Sequence, residues 1–139
     1  MMRGPEITIA VNEARLRGLL AYLDTGAGNA RLLVYADAQR PDFGEPSALP
    51  VLVDLPLAKP CGTVADGVLQ LHMRDAGGAM IQASGVGTWA RLVTAADALA
   101  MDLDVSDDAE GAPGQIQIPG GTQLYAGGYM TLAPTSTIA

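Results

Sequence analysis

Apolar and polar positions along this chain follow two rhythms. From Glu6 to Val11, Ile7, Ile9 and Val11 fall on one side and Thr8 on the other, the period-2 alternation of a short strand. A helical rhythm follows at once. Asn12 reads as an N-cap, Glu13 places negative charge in the first turn, and Leu16, Leu19, Leu20 and Leu23 fall at i, i+3, i+4 and i+7. This spacing predicts a helix near residues 13–25, ended by the glycines of Asp24-Thr25-Gly26-Ala27-Gly28.

Strand patterns dominate the rest. Arg31 to Ala36 carries Leu32, Leu33, Val34 and Tyr35, and a long polar loop with Pro41, Gly44, Pro46 and Pro50 follows. Val51 to Leu57 is apolar, but Pro56 cannot donate to a ladder and confines that end to an edge or a bulge. Asp66-Gly67 leads into Val68 to Arg74, where Leu69, Leu71 and Met73 alternate with Gln70, His72 and Arg74, giving one buried face and one wet one. After a turn at Asp75 to Gly78, Met80 to Val93 reads as a longer β stretch, with a bulge or a bend between sheets at Gly85 and Gly87. Leu99, Met101, Leu103 and Val105 alternate opposite Asp102 and Asp104. Ile116 and Ile118, a Pro119-Gly120-Gly121 turn and a final strand region from Thr122 to Leu132 complete the series. Short strands at this spacing predict a mainly β fold, a β-sandwich of jelly-roll type with one N-terminal α-helix, in a single domain over residues 1–139.

Composition sharpens this. Hydrophobic residues make up 49% of the chain and aromatics only 4%, so the core must be built from Leu, Val, Ile and Ala. Seventeen Gly and nine Pro without a period suit frequent tight turns. A net charge of −7, with eight basic residues spread along the chain, leaves no positive stripe to neutralise phosphates, so nucleic acid is not expected as a partner. No apolar run approaches the roughly 20 residues that span a bilayer, so no membrane partner is expected either. Met1 to Val11 lacks a continuous apolar stretch and does not read as a signal peptide. Cys61, the single cysteine, excludes an intramolecular disulfide and fits a reducing compartment; Pro60 and Gly62 beside it suggest a turn.

Three motifs invite chemistry. Asp24-Thr25-Gly26 after Leu23 matches the retroviral-type aspartic protease motif, in which two subunits bring paired aspartates together to share a proton. That motif follows a strand, whereas the leucines before it here have helical spacing. Asp102, Asp104, Asp107, Asp108 and Glu110 form an acidic cluster, but an EF-hand loop starting at Asp102 needs Gly and Glu where Asp107 and Pro113 stand. A solvated acidic edge that discourages edge-to-edge pairing is the simpler reading. Gly85-Val86-Gly87-Thr88-Trp89-Ala90 has the outline of a dinucleotide loop without the helix that should follow. His72 is the only histidine, so no His-based metal or nucleophile set can be drawn. No catalytic, cofactor-binding or metal-ligating residue is therefore assigned. Trp89, the only tryptophan, reads as a core aromatic or an interface anchor.

In the order of its elements the chain resembles small structural proteins encoded among the virion genes of tailed bacteriophages and prophages. The resemblance runs through Leu16-Arg17-Gly18-Leu19-Leu20, the Asp24-Thr25-Gly26-Ala27-Gly28 turn, Leu32-Leu33-Val34-Tyr35, Ala65-Asp66-Gly67-Val68-Leu69, Gly87-Thr88-Trp89-Ala90-Arg91-Leu92-Val93, and Leu124-Tyr125-Ala126-Gly127-Gly128-Tyr129-Met130-Thr131-Leu132. It departs after Val93, where Thr94-Ala95-Ala96-Asp97 replaces an Asp-Gly hairpin. The resemblance implies a non-enzymatic virion component, a capsid decoration or cement protein or a neck or tail subunit. It would form a homo-oligomer, contact other virion proteins and assemble in the bacterial cytoplasm. Alternatives are a carbohydrate- or receptor-binding β-sandwich on a tail, and the protease using Asp24. Expected contact surfaces are the loop from Asp37 to Pro50, the N-terminal arm and the tail from Ala133 to Ala139.

Overall fold

A computed structural model describes residues 5–139. One helix, α1 (Ile9–Leu23), precedes β1 (Arg31–Tyr35), β2 (Val53–Ala65), β3 (Val68–Met73), β4 (Ala79–Met80), β5 (Gly85–Val86), β6 (Trp89–Val93), β7 (Leu99–Asp107), β8 (Ile116–Ile118), β9 (Gln123–Leu124), β10 (Tyr129–Met130) and β11 (Thr137–Ile138). Seven of these form one sheet in the order β11-β3-β2-β1-β6-β7-β8, antiparallel throughout except between β7 and β8. The sheet curls until its edges nearly meet. There Ala133 N–H donates to Gln117 O at 2.8 Å, Thr137 N–H to Gln115 O at 3.1 Å, and Gln117 N–H to the Ser136 hydroxyl at 3.0 Å. The mainly β architecture with one leading helix is as the pattern predicts, curled so far that sandwich and barrel merge.

The enclosed face carries Leu32 and Val34, Leu55 and Leu57, Leu69 and Leu71, and Ala90 and Leu92, alternating along their strands. They join one continuous core, which contains no aromatic ring among the described residues. Helix α1 covers one end of the curled sheet. Leu16 and Leu23 enter the core, Asn12 and Glu13 bond the main chain of Gly67 in the β2–β3 turn, and Leu23 O accepts Ala95 N–H from the β6–β7 turn. The other end, where β1 stops and β2 starts, is covered by a ribbon in which residues 79–87 run antiparallel to 122–130. β4 pairs with β10, β5 with β9, and Gln82 N–H donates to Leu52 O at 2.7 Å. Gly85 and Gly87 thus mark the bend by which the chain passes from ribbon to main sheet.

Several expectations are corrected. Glu6 to Val11 is not a strand: α1 starts at Ile9, capped by the Thr8 hydroxyl, which accepts Val11 N–H at 3.1 Å. Asn12 lies inside the helix, its side chain engaged by Gly67 instead of by the helix start. Of the two places expected for Pro56, an edge or a bulge, the structure has the bulge, and β2 runs past it to Ala65 as an interior strand. Leu57 N–H points at β1, bonding Ala30 O, so the donor that Pro56 lacks would have faced β3, where the ladder breaks in a bulge between Leu57 and Gly62. Cys61 sits within this bulge, fully buried, not in a turn. Beside it a Cβ on Gly62 would lie 2.3 Å from Gln70 O, so only glycine fits. β6 and β7 do form a hairpin despite the missing glycine, because Asp97 itself adopts φ 63°. The stretch from Thr122 to Leu132 yields the short strands β9 and β10, and the last strand is β11.

Ser136 and Gln117 are the buried polar residues that meet at the seam, and Ser136 is fully enclosed. Its hydroxyl accepts Gln117 N–H and donates to Gln117 O at 3.2 Å, while its carbonyl accepts Leu71 N–H from β3. Ser136→Ala leaves Gln117 N–H buried without a partner and should cost about 1–3 kcal/mol in urea unfolding. An unchanged midpoint would show that the seam is not held in this way.

Candidate functional site

The outer face of the sheet carries a second, smaller packing layer. Tyr35, Trp89 and Arg91 project outward from β1 and β6, opposite in phase to the core residues between them. Trp89 is only 1% exposed, yet it stands outside the main core. Its ring stacks on Tyr35 with centroids 4.7 Å apart, and the Arg91 guanidinium lies 4.9 Å from its centroid. Arg91 in turn grips Asp102 on β7 through two bonds of 2.8 and 3.1 Å. Their side chains are 11% and 4% exposed, so Asp102 is no solvated edge residue as alternation implied.

The loop of residues 37–50 lies over this layer. At its neck Asp37 is buried: its carboxylate accepts the Ser47 hydroxyl, Ala48 N–H at 3.3 Å and Trp89 Nε1–H at 3.0 Å, and its carbonyl accepts the Thr88 hydroxyl at 2.7 Å. Farther out Arg40 reaches Asp104 at 3.1 Å, and Gly44 comes up against Leu99, so the loop follows β7 back toward the helix end. The segment is long and polar, as the sequence shows, but Asp37 closes its neck and Arg40 ties it to β7. It presents Phe43, 63% exposed, on a fixed base.

Two further apolar surfaces lie at the ends. At the ribbon end Tyr125 and Tyr129, both 68% exposed, line one hollow of about 260 Å³ whose other walls include Ile81, Ile118, Leu124 and Met130. Met80, the cross-strand neighbour of Tyr129, and Val86 are exposed beside it. At the helix end Ile7, Ile9, Val11 and Tyr22 are exposed. Of the expected contact surfaces, the tail from Ala133 to Ala139 is built into the sheet seam with Pro134, Thr135 and Ala139 exposed, the loop is available, and the N-terminal arm is described only from Pro5, Met1 to Gly4 lying outside the described residues.

The motifs with chemical promise occupy structural positions. Asp24 is the C-cap of α1, and its carboxylate accepts Cys61 N–H at 3.2 Å. The Thr25 hydroxyl donates to Ala21 O, and a Cβ on Gly26 (φ 135°) would lie 2.5 Å from Ala96 N. The Lys59 ammonium binds the Gly26 and Gly28 carbonyls at 2.6 and 3.0 Å. Burial, and then the Asp24 charge, push the Cys61 thiol up to about 12, so it is un-ionised at neutral pH. His72 meets the Thr63 hydroxyl at 2.8 Å across the β2–β3 ladder. Among the described residues no three His, Cys, Asp or Glu side chains converge to hold a metal ion, and no helix is long and apolar enough to cross a membrane. Within the acidic cluster, Asp102 pairs with Arg91, Asp104 with Arg40, and Asp107 accepts Ala109 N–H.

No protein-family model, curated protein or solved structure matches the chain.

The layered outer face makes two predictions. Asp102→Ala strands the covered Arg91 charge and should destabilise the fold by about 3–5 kcal/mol. Asp104→Ala, at an exposed pair, should change stability by less than about 1 kcal/mol in the same denaturant titration. Equal effects would mean that coverage by the loop does not matter.

The second concerns Asp37. Burial alone pushes its carboxyl up, but the bonds from Ser47, Trp89 and Ala48 outweigh this and hold it below the ordinary aspartate value. The folded value is thus lower than the unfolded one of about 3.9, and the contribution is complete above that pH and lost as pH falls through the folded value. Trp89 fluorescence should stay flat from neutral pH down to about pH 4 and change below it, whereas Asp37→Asn should lack that acid step. A Trp89 transition centred near pH 6 would contradict this.

Proposed function

We propose that this chain is a non-enzymatic structural subunit of a bacteriophage particle, a capsid decoration protein or a neck or tail component, that acts by repeated protein–protein contact as a homo-oligomer. The observation carrying this reading is that large apolar side chains are held out to solvent on anchored segments. Phe43 rides on a loop fixed by Asp37 and Arg40, and Tyr125 and Tyr129 ride on a paired ribbon. Isolated exposed apolar residues are ordinary, but tyrosines and methionine gathered on one rim are what interfaces use. The ordered resemblance to virion proteins points the same way. In a lattice each contact needs only modest strength, because neighbouring copies raise the effective concentration of the next. Asp24-Thr25-Gly26 serves in this reading as a helix terminator.

The tyrosine pair also favours a second reading, a carbohydrate-binding module on a tail, since exposed rings offer a stacking surface for sugars. One set of experiments separates the two. Purified protein should co-sediment with heads or tails of its own phage assembled without it, and Phe43→Asp should weaken that binding at least tenfold while leaving Trp89 fluorescence unchanged. Absence of binding to either particle, together with a specific hit on a glycan array, would sink the structural reading in favour of the second.

A further inference from the structure

The joined sheet has a notch at its helix end. β8 accompanies β7 only from Val105 to Asp107, so the earlier residues of β7, which leave the β6–β7 turn at that end, pair with β6 on one side and with no described strand on the other. The phase of the ladder decides which groups are left over. Val105 N–H bonds Thr88 O, so Leu103 and Met101 likewise turn their main chain to β6, while Asp104 and Asp102 turn theirs to the notch. Asp104 N–H is taken by the Gln115 side chain at 2.9 Å, but Asp102 N–H and C=O have no strand to meet among the described residues. Across the notch Ser136 O bonds Leu71 in β3 and Thr137 N–H bonds Gln115 O, so the Thr137 main chain faces the same gap.

The gap is one strand wide. Gln115, in line with β8, bridges β7 and the segment entering β11 by itself, and upstream of it the chain turns away toward Ser106, whose hydroxyl accepts Gly114 N–H at 3.0 Å. On the helix side of Gln115 lies a cavity of about 560 Å³, with Met101, Leu103 and Asp104 on one wall and Thr137 and Ile138 on the other. It shares Met101 and Ile138 with a hollow of about 210 Å³ bordered by Leu16 and Leu19 of α1. Paired strands stand about 4.8 Å apart, so walls two such steps apart admit one extended chain, over the roughly 13 Å from Ala100 to Asp104.

We infer that this notch takes an extended strand from a second copy of the chain, the segment ahead of α1. The inference rests on the reading of the chain as a self-associating subunit and specifies the contact between copies. A strand is the occupant whose chemistry fits. Its own N–H and C=O groups meet Asp102 on one side and Thr137 on the other, while alternate side chains enter over Met101, Ile138 and Leu19 and the rest face solvent beside Asp104. The chain carries such a segment. Eight residues precede α1, and the described ones, Pro5 to Thr8, lie in neither helix nor strand and are all exposed. Glu6-Ile7-Thr8 within them has the period-2 alternation of a strand, with Ile7 44% exposed. In its own chain this described segment leaves the notch open, so the pairing is between copies.

The test compares the full chain with Ile7→Asp and with a variant lacking Met2 to Ile7, which keeps Thr8 as the helix cap; Trp89 fluorescence confirms that each folds. By light scattering coupled to gel filtration, the wild type should rise with concentration from the 14.3 kDa monomer mass to at least twice that value, and both variants should stay monomeric. As the wild type associates, hydrogen exchange of the Asp102 amide, followed by NMR, should slow at least tenfold, while the Leu103 amide, turned to β6 in every form, should not change. A wild type that is monomeric throughout, a shortened variant that still associates, or association that leaves the Asp102 amide exchanging as in the variants would each overturn the strand exchange. Protection of the Asp102 amide in a monomeric chain by phage particles would give the notch to another protein's strand, so this contact would fall and the subunit reading would stand. Association through residues 2–7 without binding to heads or tails would do the reverse.

Discussion

The closing seam between β8 and the segment running into β11 is the constraint on which the rest of the structure depends. A curled sheet with unpaired edges leaves rows of N–H and C=O groups without partners, and these are both costly when buried and prone to pair with foreign strands. Here the segment of residues 133–138 bonds to β8 on one side and to β3 on the other, and Ser136 stands between them with its hydroxyl and carbonyl both engaged. Thr135 adds a bond to the Gln117 side chain. Once the sheet is curled and its edges joined, its interior is accessible only at the ends, and the chain supplies one cover for each, α1 and the ribbon. Both covers then turn a second face to solvent, where Ile9, Val11 and Tyr22 on one and Met80, Val86, Tyr125 and Tyr129 on the other are exposed.

The third cover is the loop of residues 37–50, and its physics differs. Leu, Val and Ile fill the inside, but the outside layer is made of Tyr35, Trp89, Arg91 and Asp102, held by stacking, a cation over a ring and a two-bond ion pair. Such a layer needs shielding from water to be strong, because ion pairs and charge-assisted bonds weaken in high dielectric. The loop provides the shield, and Asp37 ties it to the ring it shields. Asp37 and Trp89 are thus coupled in both directions. The indole N–H helps to keep the carboxylate charged, and the carboxylate keeps the loop over the indole.

How much of this was legible in the sequence depends on how local each cause is. The leucine spacing of α1 and the alternation in β3 and β7 are local: the two strands stand where the pattern predicts, and the helix exists as predicted but starts at Ile9. The helix start is hidden in the sequence because Ile7, Ile9 and Val11 alternate like a strand, and because Asn12, the better capping residue on paper, bonds Gly67 across 55 positions of sequence. Thr8 was left to cap the helix. Alternation placed Asp102 on the outer face correctly, yet could not tell that a loop from elsewhere covers it. The same holds for Ser136 and the two-residue strand β11. Nothing in Ala133 to Ala139 has a strand period, and its burial comes from β3 and β8, which are distant in sequence. Turn signals at Asp24 to Gly28 and Asp66-Gly67 were readable, and the first is also what makes Asp24 resemble a catalytic motif.

The candidate surfaces were legible only as segments. Tyr125-Ala126-Gly127-Gly128-Tyr129 announces a turn, and in the fold Gly128 N–H closes it on Tyr125 O at 3.0 Å, but that both rings face one hollow follows from the ribbon pairing. This pairing is what gives the surface its value. A side chain on a mobile loop must lose conformational freedom when it binds, at roughly 0.5–1.5 kcal/mol for each immobilised chain. Tyr129 sits in a strand paired with β4, and Phe43 on a loop whose neck Asp37 closes and whose Arg40 bonds Asp104, so the backbone beneath each ring is held. In the proposed role of a subunit used in many copies that economy counts for more than in a one-to-one binder, because a small saving repeated at every contact multiplies through the assembly.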